Sequence, residues 1–151
     1  MTNRQPKRCT RAGLAARDIQ EAAKPMSHLL IVDDEPDFLD ELAEALAFRG
    51  VSSTCLGHAA GAVEAVRADP QIRTVVTDIR MPDMDGVVLI EALKSAFPER
   101  RLAFVVMTGH AAESDIRRAQ AAGATACFPK PLAFAAFCEA LETLDRGHEQ
   151  A

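Results

Sequence analysis

From Leu29 onward the chain alternates short apolar runs with amphipathic helical stretches, and no other feature constrains its fold as strongly. Alternation of this kind specifies βαβ units around a parallel sheet. The expected strands are Leu29–Asp33, Ser52–Leu56, Thr74–Asp78, Ala103–Thr108 and Thr125–Phe128. Three of them read as continuous apolar runs, the pattern of strands covered by helices on both faces. Helices are expected over Pro36–Arg49, Ala59–Ala68, Gly86–Phe97, Glu113–Ala122 and Ala133–Asp145. In the first of these, Phe38, Leu42, Ala45 and Leu46 form one apolar stripe, Pro36 suits the opening turn and Gly50 supplies the stop. The expected class is α/β: one doubly wound five-stranded parallel sheet flanked by five helices, occupying residues 28–146, with 147–151 as a short C-terminal tail.

Charge separates the N-terminal segment from this body. Residues 1–25 carry Arg4, Lys7, Arg8, Arg11, Arg17 and Lys24 against Asp18 and Glu21, a net of +4, so the rest of the chain holds −9 of the total −5. Without a sustained apolar stripe, 1–25 reads as a mobile, solvated basic tail. It lacks the apolar segment of a secretory signal, and no run approaches the ~18 apolar residues of a membrane span, so a cytoplasmic protein without membrane insertion is expected. Cys9, Cys55, Cys127 and Cys138 contain no CxxC pair, which argues against a zinc site or a disulfide framework.

In open parallel α/β sheets ligands bind beyond the carboxyl ends of the strands. Here the first expected strand ends in Asp33-Asp34, the third in Asp78, the fourth in Thr108, and Lys130 follows the fifth. Three carboxylates gathered at one end repel one another, and a bound divalent cation resolves the conflict. Oxygen donors at this density suit a hard ion such as Mg²⁺. Lys130 adds a point positive charge and the Thr108 hydroxyl a donor, so a phosphoryl group formed on Asp78 would meet fixed positive charge. An Asp-Asp pair alone is more often a turn or a helix cap; its joint occurrence with the other strand-end groups gives the pattern its weight.

The segments LLIVDDEP, VVTDIRMPDMDG, VVMTGH and ATACFPKP resemble the signature stretches of response-regulator receiver domains, in the same order and spacing, over about residues 28–146. The resemblance implies a flavodoxin-like fold and a switch protein of two-component signalling, not an enzyme acting on a separate substrate. It implies Asp78 as phosphoacceptor, Asp33, Asp34, Asp78 and the backbone carbonyl of Arg80 as the Mg²⁺ site, and Thr108 as the switch hydroxyl. Lys130 is implied as the lysine of the site, preceding a cis bond to Pro131. The implied donor is a sensor histidine kinase or a histidine phosphotransfer protein. The chain departs from the family where receivers place an aromatic residue three positions before the lysine, since Cys127 stands there and Phe128 follows. The ordinary aromatic switch is therefore in doubt, and Phe128 is expected to be fixed core on the opposite face. Only about 20 residues follow Lys130, so output is expected through contacts with a downstream protein, and a homodimer through the fourth and fifth helices is a further expectation.

Three rival readings bear on this chain. A binding module that keeps the fold without phosphorylation stays open, although such modules usually lose one of the acids retained here. Aspartyl-phosphate hydrolases carry a second acid two residues after the nucleophile, where this chain has Arg80. The basic tail could give salt-sensitive nucleic-acid affinity, but no helix-turn-helix, zinc motif or aromatic stacking set accompanies it, so nucleic acid is not the expected partner.

Overall fold

A computed structural model describes residues 7–9, 28–109 and 113–149 of the 151-residue chain. The elements are β1 (Lys7–Cys9), β2 (His28–Val32), α1 (Pro36–Phe48), β3 (Ser53–Leu56), a 3₁₀ turn (Ala59–Gly61), α2 (Ala62–Ala68), β4 (Ile72–Asp78), α3 (Gly86–Ala96), β5 (Ala103–Thr108), α4 (Glu113–Ala122), β6 (Ala124–Pro129) and α5 (Phe134–Glu149). The sheet order is β1-β3-β2-β4-β5-β6, with β3, β2, β4, β5 and β6 mutually parallel. The five expected parallel strands and five helices are all present.

The continuous apolar strands divide their side chains between two cores, as a sheet covered on both faces must. Leu30, Val32, Val75, Phe104 and Val106 face α2, α3 and α4, where they meet Ala62, Val66, Leu89, Ile90, Leu93, Ala119 and Ala122. Leu29, Ile31, Val76, Val105 and Met107 face α1 and α5, against Leu39, Leu42, Leu46, Phe137 and Leu141. Each fully buried aliphatic side chain contributes about 1.5–3 kcal/mol relative to exposure. Three helices thus lie on one face and two on the other.

The elements depart from expectation in five places. The second expected helix is split, because Ala59–Gly61 winds as a 3₁₀ turn before α2 begins. Strand β4 starts at Ile72, two residues early, and β6 runs on to Pro129. Helix α5 continues to Glu149, past its expected end at Asp145 and into the stretch expected as a tail, because Asp145–Glu149 contains no proline to stop it. The sequence reading also placed no strand in residues 1–25, yet Lys7–Cys9 pair antiparallel with β3 in the register Lys7↔Cys55 and Cys9↔Ser53. This is a sixth strand on the sheet edge; a three-residue strand is too short to show a hydrophobic period. The rest of the basic tail, residues 110–112 of the loop after Thr108, and residues 150–151 lie outside the described residues. Among the described residues no helix is long and apolar enough to cross a membrane.

The helix ends follow their sequence signals. Gly50 takes φ 83°, the left-handed conformation that closes α1, and the amides of Gly50 and Val51 donate to Ala47 and Leu46. Asp85 caps α3, its Oδ1 accepting from the Val87 amide at 2.7 Å.

Candidate functional site

The chain leaves β2 for β3 on one side of the sheet, then returns to place β4 on the other side of β2. The strand order therefore reverses between β2 and β4, and the crevice beyond their carboxyl ends is where such a fold binds ligands. In the β2–β4 register Val32 faces Thr77, so Asp33 and Asp78 leave adjacent strands side by side. A cleft of about 200 Å³ opens there, lined by Asp34, Glu35, Asp78, Arg80, Thr108, Gly109 and Lys130.

Lys130 is the electrostatic centre. Its Nζ donates to Asp33 Oδ2 at 2.6 Å and to Asp78 Oδ2 at 3.1 Å, with Glu35 Oε1 at 3.8 Å and the Phe38 ring centroid 4.4 Å away. The Lys130 amide donates to the Thr108 carbonyl at 2.9 Å, and the Lys130-Pro131 bond is cis, as the resemblance implied. Burial works against the charge on Lys130, but its hydrogen bonds and attraction to Asp33 and Asp78 more than offset this and hold the ammonium above the usual lysine range. Asp33 is fully buried, just behind the cleft. Burial pushes its carboxyl above the ordinary range despite the bonds from Lys130 and from the Glu35 amide.

The loop after β4 fixes Asp78. The Arg80 amide donates to Asp78 Oδ1 at 3.3 Å, and the Gly86 amide returns to the Ile79 carbonyl at 2.7 Å. A Cβ on Gly86 would lie 2.1 Å from the Asp78 carbonyl oxygen and 2.9 Å from Ile79 Cα, so only glycine lets α3 begin this close to the end of β4. Thr108 ends β5 and is buried beside the cleft.

The structure brings Asp34, Asp78, Arg80, Thr108 and Lys130 into one cleft and holds Asp33 beneath it through Lys130. For a metal, carboxylate oxygens of Asp33, Asp34 and Glu35 all lie within 4.8 Å of one another. An all-oxygen, anionic donor set fits a hard divalent cation. Glu35 was missed by the sequence reading, though it directly follows the Asp-Asp pair. Also missed were Asp115 and Arg118 on α4, which engage the Arg80 side chain and the adjoining loop. Their separation from Arg80 in sequence leaves no local signal.

Cys127 and Phe128 pack on opposite cores, Cys127 with the α2–α4 side and Phe128 with the α1–α5 side. Phe128 meets Phe137 edge to face with ring centroids 5.5 Å apart, held as expected although only half-buried. Burial pushes the Cys127 thiol above its ordinary range, keeping it neutral.

Known proteins similar to this chain include receivers. The family model described as "Response regulator receiver domain" matches residues 29–142. Two-component response regulator PprB of Pseudomonas aeruginosa is 33% identical over 132 residues, covering 84% of this chain and 48% of PprB. Photosynthetic apparatus regulatory protein RegA of Rhodobacter capsulatus is 36% identical over 103 residues, covering 68% of this chain and 54% of RegA. The chain thus spans about half the length of these relatives. Among solved structures, a CheY-like receiver domain protein from Methanospirillum hungatei superposes with a TM-score of 0.74 at 26% identity, covering 83% of this chain and 99% of that one. The beryllofluoride-activated NtrC4 receiver domain dimer gives 0.73 at 25% identity, covering 81% and 98%. With its acids at the β2–β4 switch point, Lys130 across them and a family match over most of its length, this chain belongs to the response regulator receiver domain family.

Proposed function

We propose that the protein is a phosphorylation-activated receiver of a two-component phosphorelay, accepting a phosphoryl group on Asp78 and signalling through protein contacts. The supporting observation is the convergence of Asp78, Lys130, Thr108 and the acids of the β2–α1 turn on one cleft. In the transfer, an Asp78 carboxylate oxygen attacks phosphorus, a P–O bond forms, and the bond to the donor breaks. For a phosphohistidine donor, from a sensor kinase or a histidine phosphotransfer protein, the leaving group is the imidazole. Arg80 N–H and Lys130 Nζ each hold one Asp78 oxygen, which orients the carboxylate. The Lys130 ammonium meets the charge on the phosphoryl oxygens, and the Thr108 hydroxyl is the donor on the β5 side.

Asp33, Asp34, Asp78 and the Arg80 backbone carbonyl would hold Mg²⁺, with a Glu35 carboxylate oxygen within 4.8 Å of those of Asp33 and Asp34. When bound it neutralises the transferring phosphoryl oxygens. The protein's own chemistry is confined to its phosphorylation and dephosphorylation. The readout surface is α4 and α5, open to a downstream protein or a second copy of the chain; the NtrC4 receiver is a dimer.

With Mg²⁺ present, acetyl phosphate should add one phosphoryl group by intact mass, and Asp78→Asn should abolish the addition. Undiminished labelling of the variant would overturn the assignment.

A further inference from the structure

The loop that orients Asp78 is tied to α4 by charge. While the Arg80 amide holds Asp78 Oδ1, the Arg80 guanidinium donates to Asp115 Oδ2 at 2.9 Å. Asp115 lies in the first turn of α4 and is only 6% exposed. Its other oxygen accepts from Arg118 Nη1 at 3.2 Å, and Arg118 Nη2 reaches Asp85 Oδ2 at 3.3 Å. Arg80, Asp115, Arg118 and Asp85 thus alternate in sign and join both ends of the loop after β4 to one turn of α4. The hydrogen bond from Arg80 is the main cause holding the Asp115 carboxyl below its usual range.

Packing fixes α4 less than its neighbours. Its buried residues are Asp115, Ala119 and Ala122, whereas α3 buries Val87, Leu89, Ile90 and Leu93. Two alanines offer a methyl group each, so the charged turn weighs heavily in setting where α4 sits. The Arg80 side chain is 61% exposed and lines the cleft beside Asp78, so it can exchange partners without crossing the core. A phosphoryl group presents several oxygens to the planar guanidinium fork, a stronger match than one carboxylate oxygen. Asp115 would not be stranded by that exchange, because Arg118 remains on it.

We propose that Asp115 is a positioning residue for phosphorylation: it holds the Arg80 guanidinium on α4, and a phosphoryl group on Asp78 competes with it for that guanidinium. The inference rests on Asp78 being the phosphoacceptor. Phosphorylation then breaks the Arg80 tie between the loop and α4, leaving the Arg118–Asp85 pair as the remaining one, and by linkage a partner that keeps α4 in its latched place opposes phosphorylation by the same factor.

The test is the affinity of beryllofluoride with Mg²⁺, a reversible phosphoryl mimic, followed by calorimetry because the chain has no tryptophan or tyrosine to report by fluorescence. Asp115→Asn keeps the shape and removes the charge, with Asp115→Ser as a second variant. Each should bind about five- to tenfold more tightly than the parent, the low end of ordinary coupling. Repeated on an Arg80→Ala background, the gain should vanish, which a merely structural role of Asp115 would not produce. Equal affinity of parent and Asp115→Asn, or a gain that persists without Arg80, overturns the proposal. A parent protein that fails to bind beryllofluoride sinks the Asp78 reading and this one together; a binding parent with unshifted variants sinks this one alone.

Discussion

Gly86→Ala isolates the close approach that positions Asp78. The added Cβ would stand 2.1 Å from the Asp78 carbonyl oxygen and 3.0 Å from its carbon, where ordinary contact begins at 3.4 Å. The shortfall at the oxygen is about 1.3 Å, and the atoms in the way are backbone, so no side-chain rotamer can absorb it. The start of α3 must move, and the Gly86 to Ile79 hydrogen bond with it. Overpacking typically costs about 1–3 kcal/mol where neighbours can yield, and here they cannot. Alanine returns at most about 1 kcal/mol of helix propensity. Taking the upper end of that range, a net loss of about 2 kcal/mol follows, a fall in Tm of about 7 °C for a domain of this size. Urea titration and thermal melting measure it, with Gly57→Ala, whose new Cβ meets nothing within 4 Å, as the control. Acetyl phosphate labelling of the variant should fall too, since the displaced backbone is that of Asp78. A change in stability below about 0.5 kcal/mol at Gly86 would refute the steric argument.

Replacing both Asp33 and Asp34 by Asn should remove measurable Mg²⁺ affinity by calorimetry while the fold survives, because Lys130 keeps Asp78 and Glu35 within reach; retained affinity would sink their role. Asp33→Asn alone tests the raised carboxyl: a group whose pKa rises on folding favours the folded state at low pH and loses that contribution as pH climbs through the raised value, so the metal-free parent should gain stability relative to the variant as pH falls from neutral toward it. A chain starting at Met26 should fold and accept phosphate, with only a small drop in Tm from the lost β1 pairing; a large drop would show residues 1–25 to be a docked element. Thr108→Ala should uncouple phosphorylation from partner binding more thoroughly than Cys127→Ala, and equal effects in amide chemical shifts under beryllofluoride would place the motion at Cys127.

The core and the strand-end acids were legible for the same reason: both follow strand periodicity. Continuous apolar runs announced strands buried on both faces, and the residue ending each run had to project beyond the sheet, which placed Asp33, Asp78 and Thr108 together without any knowledge of distance. Lys130 was legible through its motif, not its charge. The elements that were missed depend on long-range pairing. Lys7–Cys9 is a strand only because the β3 edge accepts it, and Asp115 meets Arg80 only because α4 packs across the loop. Glu35 was visible but overshadowed, since the Asp-Asp pair alone satisfied the expected pattern.

Cys127 shapes how a signal can leave the site. It stands in register opposite Val106, two residues before Thr108 on β5, and is too small to fill space that a moving threonine vacates. The partner that could fill it, Phe128, is committed to Phe137 on the other face. A packing exchange at residue 127 is therefore poorly supported, and among the described residues a chain of four charges through Arg80, Asp115, Arg118 and Asp85 links the cleft to α4. A switch built on partly exposed ion pairs is screened by salt, as one built on packing is not, because the Debye length shrinks from about 10 Å at 0.1 M to about 3 Å at 1 M. The change in α4 amide shifts caused by beryllofluoride should accordingly shrink as sodium chloride is raised across that range, with beryllofluoride kept saturating at every point. In the Asp115→Asn variant, which loses the central carboxylate of the chain, the remaining change should be smaller and less sensitive to salt. A response in the parent that is equally large at both ends of the range would mean that packing, through some side chain other than residue 127, carries the signal.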